Sequence, residues 1–344
     1  MKYLAYVLSL LLLLSLIAAC TKQEVDSNRP EGSPEFVVVY TSVGESQLMP
    51  LYDEFTGATG IRVQQVSADF SRLLEMMHDR QWRPAADVFL AGDSATLWRA
   101  VSEDIFRPTY SENIERAIPV HLRDADNLFS GFAITANAIV YDGATGHPSV
   151  PTDYESLATP EWRGRLCLTS STMPQNIGWV SLLLSRHGKR EAEMTVRRMV
   201  ANLALPVFDD VAELIAAIES GRCGAAIADL QAAVQQLSAH AGTGAVVMTL
   251  PTQHGGTQVD IVGAGVTRHA ANAEGAVRFL EWLTANDGQE AVAASGIGLP
   301  ISTAVALPAP LSEYQAMSFA EIGVSRLGEL SEEAIALVER AHYP

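Results

Sequence analysis

Between residues 36 and 103 the chain alternates, with short connections, between strand-like and helix-like runs. FVVVY (36–40) reads as a buried strand, and SQLMPLYDEFTGATG reads as an amphipathic helix ending at Gly60. IRVQQV is a strand again, FSRLLEMMHDR a helix, ADVFL a strand and SATLWRAVSE a helix. That β-α-β-α-β-α order predicts a parallel sheet flanked by helices. A second α/β section opens at IVYD (139–142). It holds a strand at LCLT (166–169), a helix from Pro174 to His187 with proline in its first turn, a helix around 210–220, the strand AAIA (225–228) and a further helix. The expectation is two α/β lobes with a crevice between them.

The N-terminus is of another kind. Lys2 precedes a Leu-rich stretch from Leu4 to Ile17, then come Ala18, Ala19 and Cys20, then the polar segment TKQEVDSNRPEGSPE. A basic start, an apolar core and small residues at the cut form a secretory signal. The apolar stretch is shorter than the roughly 18–20 residues that a membrane span needs. A cysteine at the cut resembles bacterial lipoprotein signals, which implies removal of residues 1–19, lipidation of Cys20, a tether over residues 20–35 and a protein held outside the cytoplasm by acyl chains.

Composition bounds the rest. A hydrophobic share of 48% suffices to build cores for two domains. The net charge of −17 argues against binding nucleic acid or an anionic bilayer through the protein surface. With Cys20 lipidated, Cys167 and Cys223 remain, at no metal-like spacing; a disulfide and two buried thiols both fit.

Four stretches carry a family resemblance: VVVYTSVGESQLMPLYDEFTGATGIRV, RPAADVFLAGDSATLWRA, PEWRGRLCLTSSTM, and the run from GTQVDIVGAGVTRHAANAEGAVRFLEWLTANDGQEAV to LGELSEEAIALVERA. Together they resemble the ferric-iron-binding periplasmic proteins, the solute receptors of iron ABC importers. The resemblance implies an α/β, two-lobed type II binding-protein fold with a hinge and an interlobe ligand cleft. It places lobe 1 at 36–136 and 262–312 and lobe 2 at 137–261 and 313–344. A small solute, an ABC permease and its ATPase are the partners it implies, with Fe³⁺ as the metal.

The chain departs from that family at the metal. Where the family carries a Tyr-Tyr pair, whose phenolates are hard oxygen ligands for Fe³⁺, this chain has Gln231 and Ala232. Val43-Gly44-Glu45 stands where the resemblance expects a His or Tyr ligand, which makes Glu45 a candidate metal ligand. Arginines expected before the crossover strand are replaced by Thr135 and Asn137, and Asp229 stands where relatives often carry Asn. Tyr141 survives as a second candidate metal ligand, although a tyrosine ending IVYD more often packs in a hinge.

Ligands of open α/β sheets bind beyond the carboxyl ends of the strands. That selects Ser42 and Glu45, Asp69 and Ser71, Asp93 and Ser94 from the first section, and Ser170, Ser171, Thr172, Asp229 and Gln231 from the second. The hydroxyls and backbone N–H groups of the 169–172 run suit either an anion or a helix cap. Asp69, Asp93 and Asp210 also stand where helix caps are expected. Counted by charge, Glu45, Asp69, Asp93 and Asp229 favour a cation or an ammonium group, so an organic amine, including one with an acidic end as in an aminophosphonate, is the alternative to iron. A sensory receptor for a membrane kinase is the alternative to transport. No G-x-S-x-G, H-E-x-x-H or P-loop pattern is present, so the chain is not expected to be an enzyme. The histidines are scattered, and HGG (254–256) reads as a turn between lobes.

Overall fold

The computed structural model describes residues 36–144, 150–239, 246–254, 256–307, 311–314, 320 and 322–344. Cys20 and the tether of residues 20–35 lie outside them. Among the described residues, no helix is long and apolar enough to cross a membrane.

The opening alternation forms as read: β1 (Phe36–Thr41), α1 (Glu45–Thr59), β2 (Arg62–Ser67), α2 (Phe70–His78), β3 (Val88–Ala91) and α3 (Ser94–Ser102), with α4 (Glu112–Ala117) after them. Gly60 ends α1 in the left-handed conformation (φ 74°), where glycine has no Cβ penalty. The chain continues through β4 (Ser130–Asp142), β5 (Leu166–Cys167), α5 (Pro174–Ala201), α6 (Val211–Glu219), β6 (Ala225–Asp229), α7 (Leu230–Ala239) and β7 (Val246–Thr249). It ends with β8 (Val259–Val266), α8 (Ala273–Thr284), α9 (Asn286–Ser295), β9 (Leu299–Pro300) and α10 (Val324–Arg340).

One strand expectation needs correction. The strand at 166–169 is regular only over Leu166–Cys167, and Thr169 joins Phe208 by a single bridge. The helix from Pro174 runs to His187 as read; Gly188, at φ 72° and ψ 171°, breaks the helical path, and a second helical stretch follows it to Ala201, the two being counted together as α5.

The sheet runs β2-β1-β3-β8-β4-β6-β5. It is mixed, not wholly parallel. β1 pairs parallel with β2 and β3, whereas β8, arriving from late in the chain, pairs antiparallel with β3, Ala91 facing Gly263. β4 is the shared element. Its first half, Ser130 to Ala136, pairs with β8, and its second half, Asn137 to Asp142, pairs with β6 and β7.

Separate cores form on either side of that switch. Val38, Phe55, Phe89, Phe106 and Phe279 belong to one; Tyr154, Trp162, Trp179, Ile227 and Leu337 belong to the other. Cys167 and Cys223 are disulfide-bonded in a smaller cluster beside the second, which closes the question their spacing left open. α10 packs against both α5 and α3. A Cβ on its Gly328 would lie 2.5 Å from Cβ of Trp98 and 3.0 Å from the Ser94 carbonyl oxygen, so glycine is what lets α10 approach α3.

Candidate functional site

Where β4 changes partners, a connected set of polar side chains joins the two cores. Asn137 faces Asp229 across the β4–β6 ladder, and its side-chain amide donates to Oε1 of Gln258 (2.6 Å) and to the Gln175 carbonyl (2.9 Å). Gln258 and Asp260 lie one above the other beside Gly178, where an added Cβ would meet Nε2 of Gln258 at 2.6 Å and Oδ2 of Asp260 at 3.5 Å. Asp260 in turn accepts hydrogen bonds from the backbone N–H groups of Ser94 (2.8 Å) and Ile261 (2.8 Å). The Tyr154 hydroxyl bridges both crossover strands, donating to the Asn137 carbonyl (2.7 Å) and accepting from the Gln258 N–H (3.1 Å).

The electrostatics of this floor are acidic. Asp260 is 6% exposed, and burial, with Asp93 adding like-charge repulsion, pushes its carboxyl up to about 7. Burial also raises Asp93, partly offset by hydrogen bonds from the Thr96 N–H and hydroxyl and by a weaker attraction to Arg99. Asp229 is raised by burial as well, with the Ala232 and Gln231 N–H groups opposing. Among the described residues, none of the three forms a salt bridge with a lysine or arginine.

The residues expected from sequence separate into groups. Asp93, Ser94, Asp229 and Gln231 belong to the floor or its margin, and Nε2 of Gln231 is buried without a hydrogen-bond partner among the described residues. Ser42 and Glu45 are exposed on the loop and first residue that follow β1, and Val43 between them lies beside Gly92 of the loop after β3, where an added Cβ would meet its Cγ2 at 3.5 Å. Asp69 is exposed and caps α2 through the Arg72 N–H (2.9 Å), with Ser71 exposed beside it. Asp210 caps α6 in the same manner.

The 169–172 run is engaged by the protein itself. The N–H groups of Ser170 and Ser171 donate to the carbonyls of Phe208 and Pro344 (2.8 Å each), and the Ser170 and Thr172 hydroxyls bond to each other (2.9 Å). Its backbone donors are therefore not directed at an anion. Tyr141 pairs with Ala225 at the opposite end of β6 from Asp229, about 13 Å along the strand from Asn137 at the usual rise. The structure does not bring it to the floor; it packs against the second core.

Sequence reading missed Asp260 and Gln258. The signal was present: a lone Asp interrupts the apolar run VDIVGAGV, and every residue of that strand is buried. A buried acid in such a strand needs partners or a task.

Comparison with known proteins bears on the fold and the family. Residues 37–298 match the family model described as bacterial extracellular solute-binding protein. Iron uptake protein A1 of Synechocystis sp. is 30% identical over 90% of this chain and 88% of its own length. Iron uptake protein A2 of the same organism is 29% identical over 84% of each. A solved structure of the Trichodesmium IdiA (FutA) protein in complex with iron and citrate superposes with a TM-score of 0.82 at 29% identity, covering 90% of this chain and 100% of that one. The architecture is thus the α/β type II binding-protein fold. The chain belongs to the bacterial extracellular solute-binding proteins and, within them, to the ferric-iron-binding periplasmic family, whose members bind solutes and are not enzymes.

Proposed function

We propose that this chain is the lipid-anchored, extracytoplasmic receptor of an ABC importer, tethered through Cys20, and that it carries iron held by carboxylates instead of phenolates. The solute enters between a first lobe (36–136 and 262–312) and a second (137–261 and 313–344). The observation that carries the reading is the meeting of buried Asp260 and half-buried Asp93 at Ser94, with no salt-bridged lysine or arginine on either among the described residues. Asp229 and Glu45 extend the negative potential toward the rim. Iron is favoured as the cation by the relatives, two of which are named iron uptake proteins while a third holds iron and citrate.

In this reading the empty lobes resist closure because closing gathers the carboxylates. A cation relieves that repulsion, so binding and closure are coupled, and the closed form docks on the permease. Carboxylate oxygens are hard ligands but give no phenolate-to-iron charge transfer, and by the resemblance Gln231 and Ala232 stand where the family carries its tyrosine pair.

The test is loading with ferric citrate, gel filtration and metal analysis beside a visible spectrum. Retained iron without an intense tyrosinate band is expected, with retention lost in Asp260→Asn. Absence of retained iron would point to an organic amine or another cation. An intense band would show that a tyrosine ligates after all.

A further inference from the structure

Three ligand-bearing side chains from two separate segments converge away from the cleft floor. Asp153 and Glu155 flank Tyr154 where the 3₁₀ turn Glu155–Ala158 begins, and His254 reaches them from the loop between β7 and β8. One ligand atom from each lies within 4.8 Å of the other two. His187, roughly 14 Å beyond Gly178 along α5 at the helical rise, stands next to them.

Each polar atom can be traced. Oδ1 of Asp153 accepts the Ser156 N–H (2.7 Å), and Oδ2 faces Nδ1 of His254 (2.8 Å). Oε1 of Glu155 contacts Nε2 of His187 (2.7 Å), with Nη1 of Arg186 at 3.9 Å. Oε2 of Glu155 is buried with no hydrogen-bond partner among the described residues. The two histidine–carboxylate pairs, the Ser156 N–H and the long Arg186–Glu155 ion pair leave that oxygen without a hydrogen bond, as they leave Nη1 of Arg186, and leaving a carboxylate oxygen dry is costly. A cation between Oδ2 of Asp153, Oε2 of Glu155 and Nδ1 of His254 would satisfy it. Arg186 reaches the Oε1 side, with Nη2 donating to the Gly256 carbonyl (3.0 Å), so it opposes the ion's charge without taking the coordinating oxygen.

The donor set narrows the ion. An imidazole with two carboxylates suits a borderline first-row divalent metal, with Zn²⁺ a natural case, and does not suit Ca²⁺ or Mg²⁺, which prefer all-oxygen shells. His187 holds Glu155 from behind, as outer-shell groups hold ligating carboxylates. The half-exposed His254 leaves an entry path.

We propose that Asp153, Glu155 and His254 form a binding site for a divalent transition metal, separate from the cleft. Its place in the fold gives it a consequence. Tyr154, between the two acids, is the residue whose hydroxyl ties Asn137 to Gln258, so an ion fixing its neighbours braces the two crossover strands where they meet.

The experiment uses the full chain, stripped with chelator and dialysed, and titrated with Zn²⁺ by calorimetry and thermal unfolding. A saturable Zn²⁺ site that raises Tm is expected, with Ca²⁺ giving no rise. Glu155→Gln and His254→Ala should each abolish this binding. His187→Ala should weaken it by about ten- to a hundred-fold, as loss of an outer-shell partner does. Asp260→Asn should keep the Zn²⁺ response, which separates this site from the proposed iron cleft: iron loading can fail while zinc binding stands, and the reverse. Equal Zn²⁺ affinity in wild type, Glu155→Gln and His254→Ala would overturn the proposal, as would a wild-type Tm unmoved by Zn²⁺.

Discussion

The backbone N–H of Ser94 donates to a carboxylate oxygen of Asp260, 166 residues further along the chain, at 2.8 Å. Ser94 begins α3, so the donor is one of the unpaired N–H groups of a helix start. The positive end of the helix favours the ionised acid. Burial and the neighbouring Asp93 oppose ionisation and prevail, which pushes the Asp260 carboxyl up to about 7.

This has a direct consequence for stability against pH. The Asp260 pKa lies above its unfolded value near 4, so between about pH 4 and 7 the native state binds the extra proton and stability declines as pH rises. Asp260→Asn should remove that decline and leave the empty protein more stable at pH 8, by an amount on the order of a few kcal/mol. Urea unfolding of both proteins at pH 5 and pH 8 measures it. An unchanged pH slope in the variant would show that Asp260 is not the titrating group.

Binding should respond to the acids at the rim as well. Glu45→Gln and Asp229→Asn are expected to weaken ligand binding by about 1–3 kcal/mol each, the scale of a lost charged contact. Neither should destabilise the empty protein, because asparagine at 229 still caps α7 as well as aspartate does. Thermal shifts with and without ferric citrate report both quantities. Full ligand-induced shifts in both variants would confine the site to Asp93 and Asp260.

Gly328 controls the position of α3 from behind. Gly328→Ala puts a methyl group against Trp98 and the Ser94 carbonyl, and overpacking of this kind costs about 1–3 kcal/mol. Since α3 carries Asp93 and Ser94, the variant should lose ligand response together with stability. Chemical denaturation and metal retention, measured on one preparation, would reveal a loss of stability alone.

Reduction of the Cys167–Cys223 disulfide frees a loop of 56 residues in sequence. Chain entropy for a loop of that length gives a cost of about 4 kcal/mol. Cys223→Ala should show it as a lowered urea midpoint, and a midpoint equal to that of the wild type would mean that the bond adds nothing.

Anchoring is tested at the other end of the chain. Cys20→Ser should release the protein from the membrane fraction or block its processing, while leaving ligand affinity unchanged. Normal processing with retention in the membrane fraction would defeat the lipoprotein reading.

The local elements around the site were legible in the chain because their causes are local. VVV runs bury, Gly60 terminates α1, and Asp69, Asp93 and Asp210 supply the oxygens that helix starts lack. Local reading decided less elsewhere. The 169–172 run suited either an anion or a helix cap, and the N–H groups of Ser170 and Ser171 are taken by Phe208 and Pro344, carbonyls from distant parts of the chain. Tyr141 read as a possible ligand until the β4–β6 register set it at the far end from Asp229. The acidity of the crevice was visible as residue types, whereas its focus at Asp93 and Asp260 depends on β8 entering antiparallel beside β3. Sequence by itself determined which groups the protein possesses and the helices and strands that carry them. Which of those groups lose their water, and which meet, was decided only by the tertiary structure, because desolvation and pairing depend on neighbours that sequence distance does not reveal.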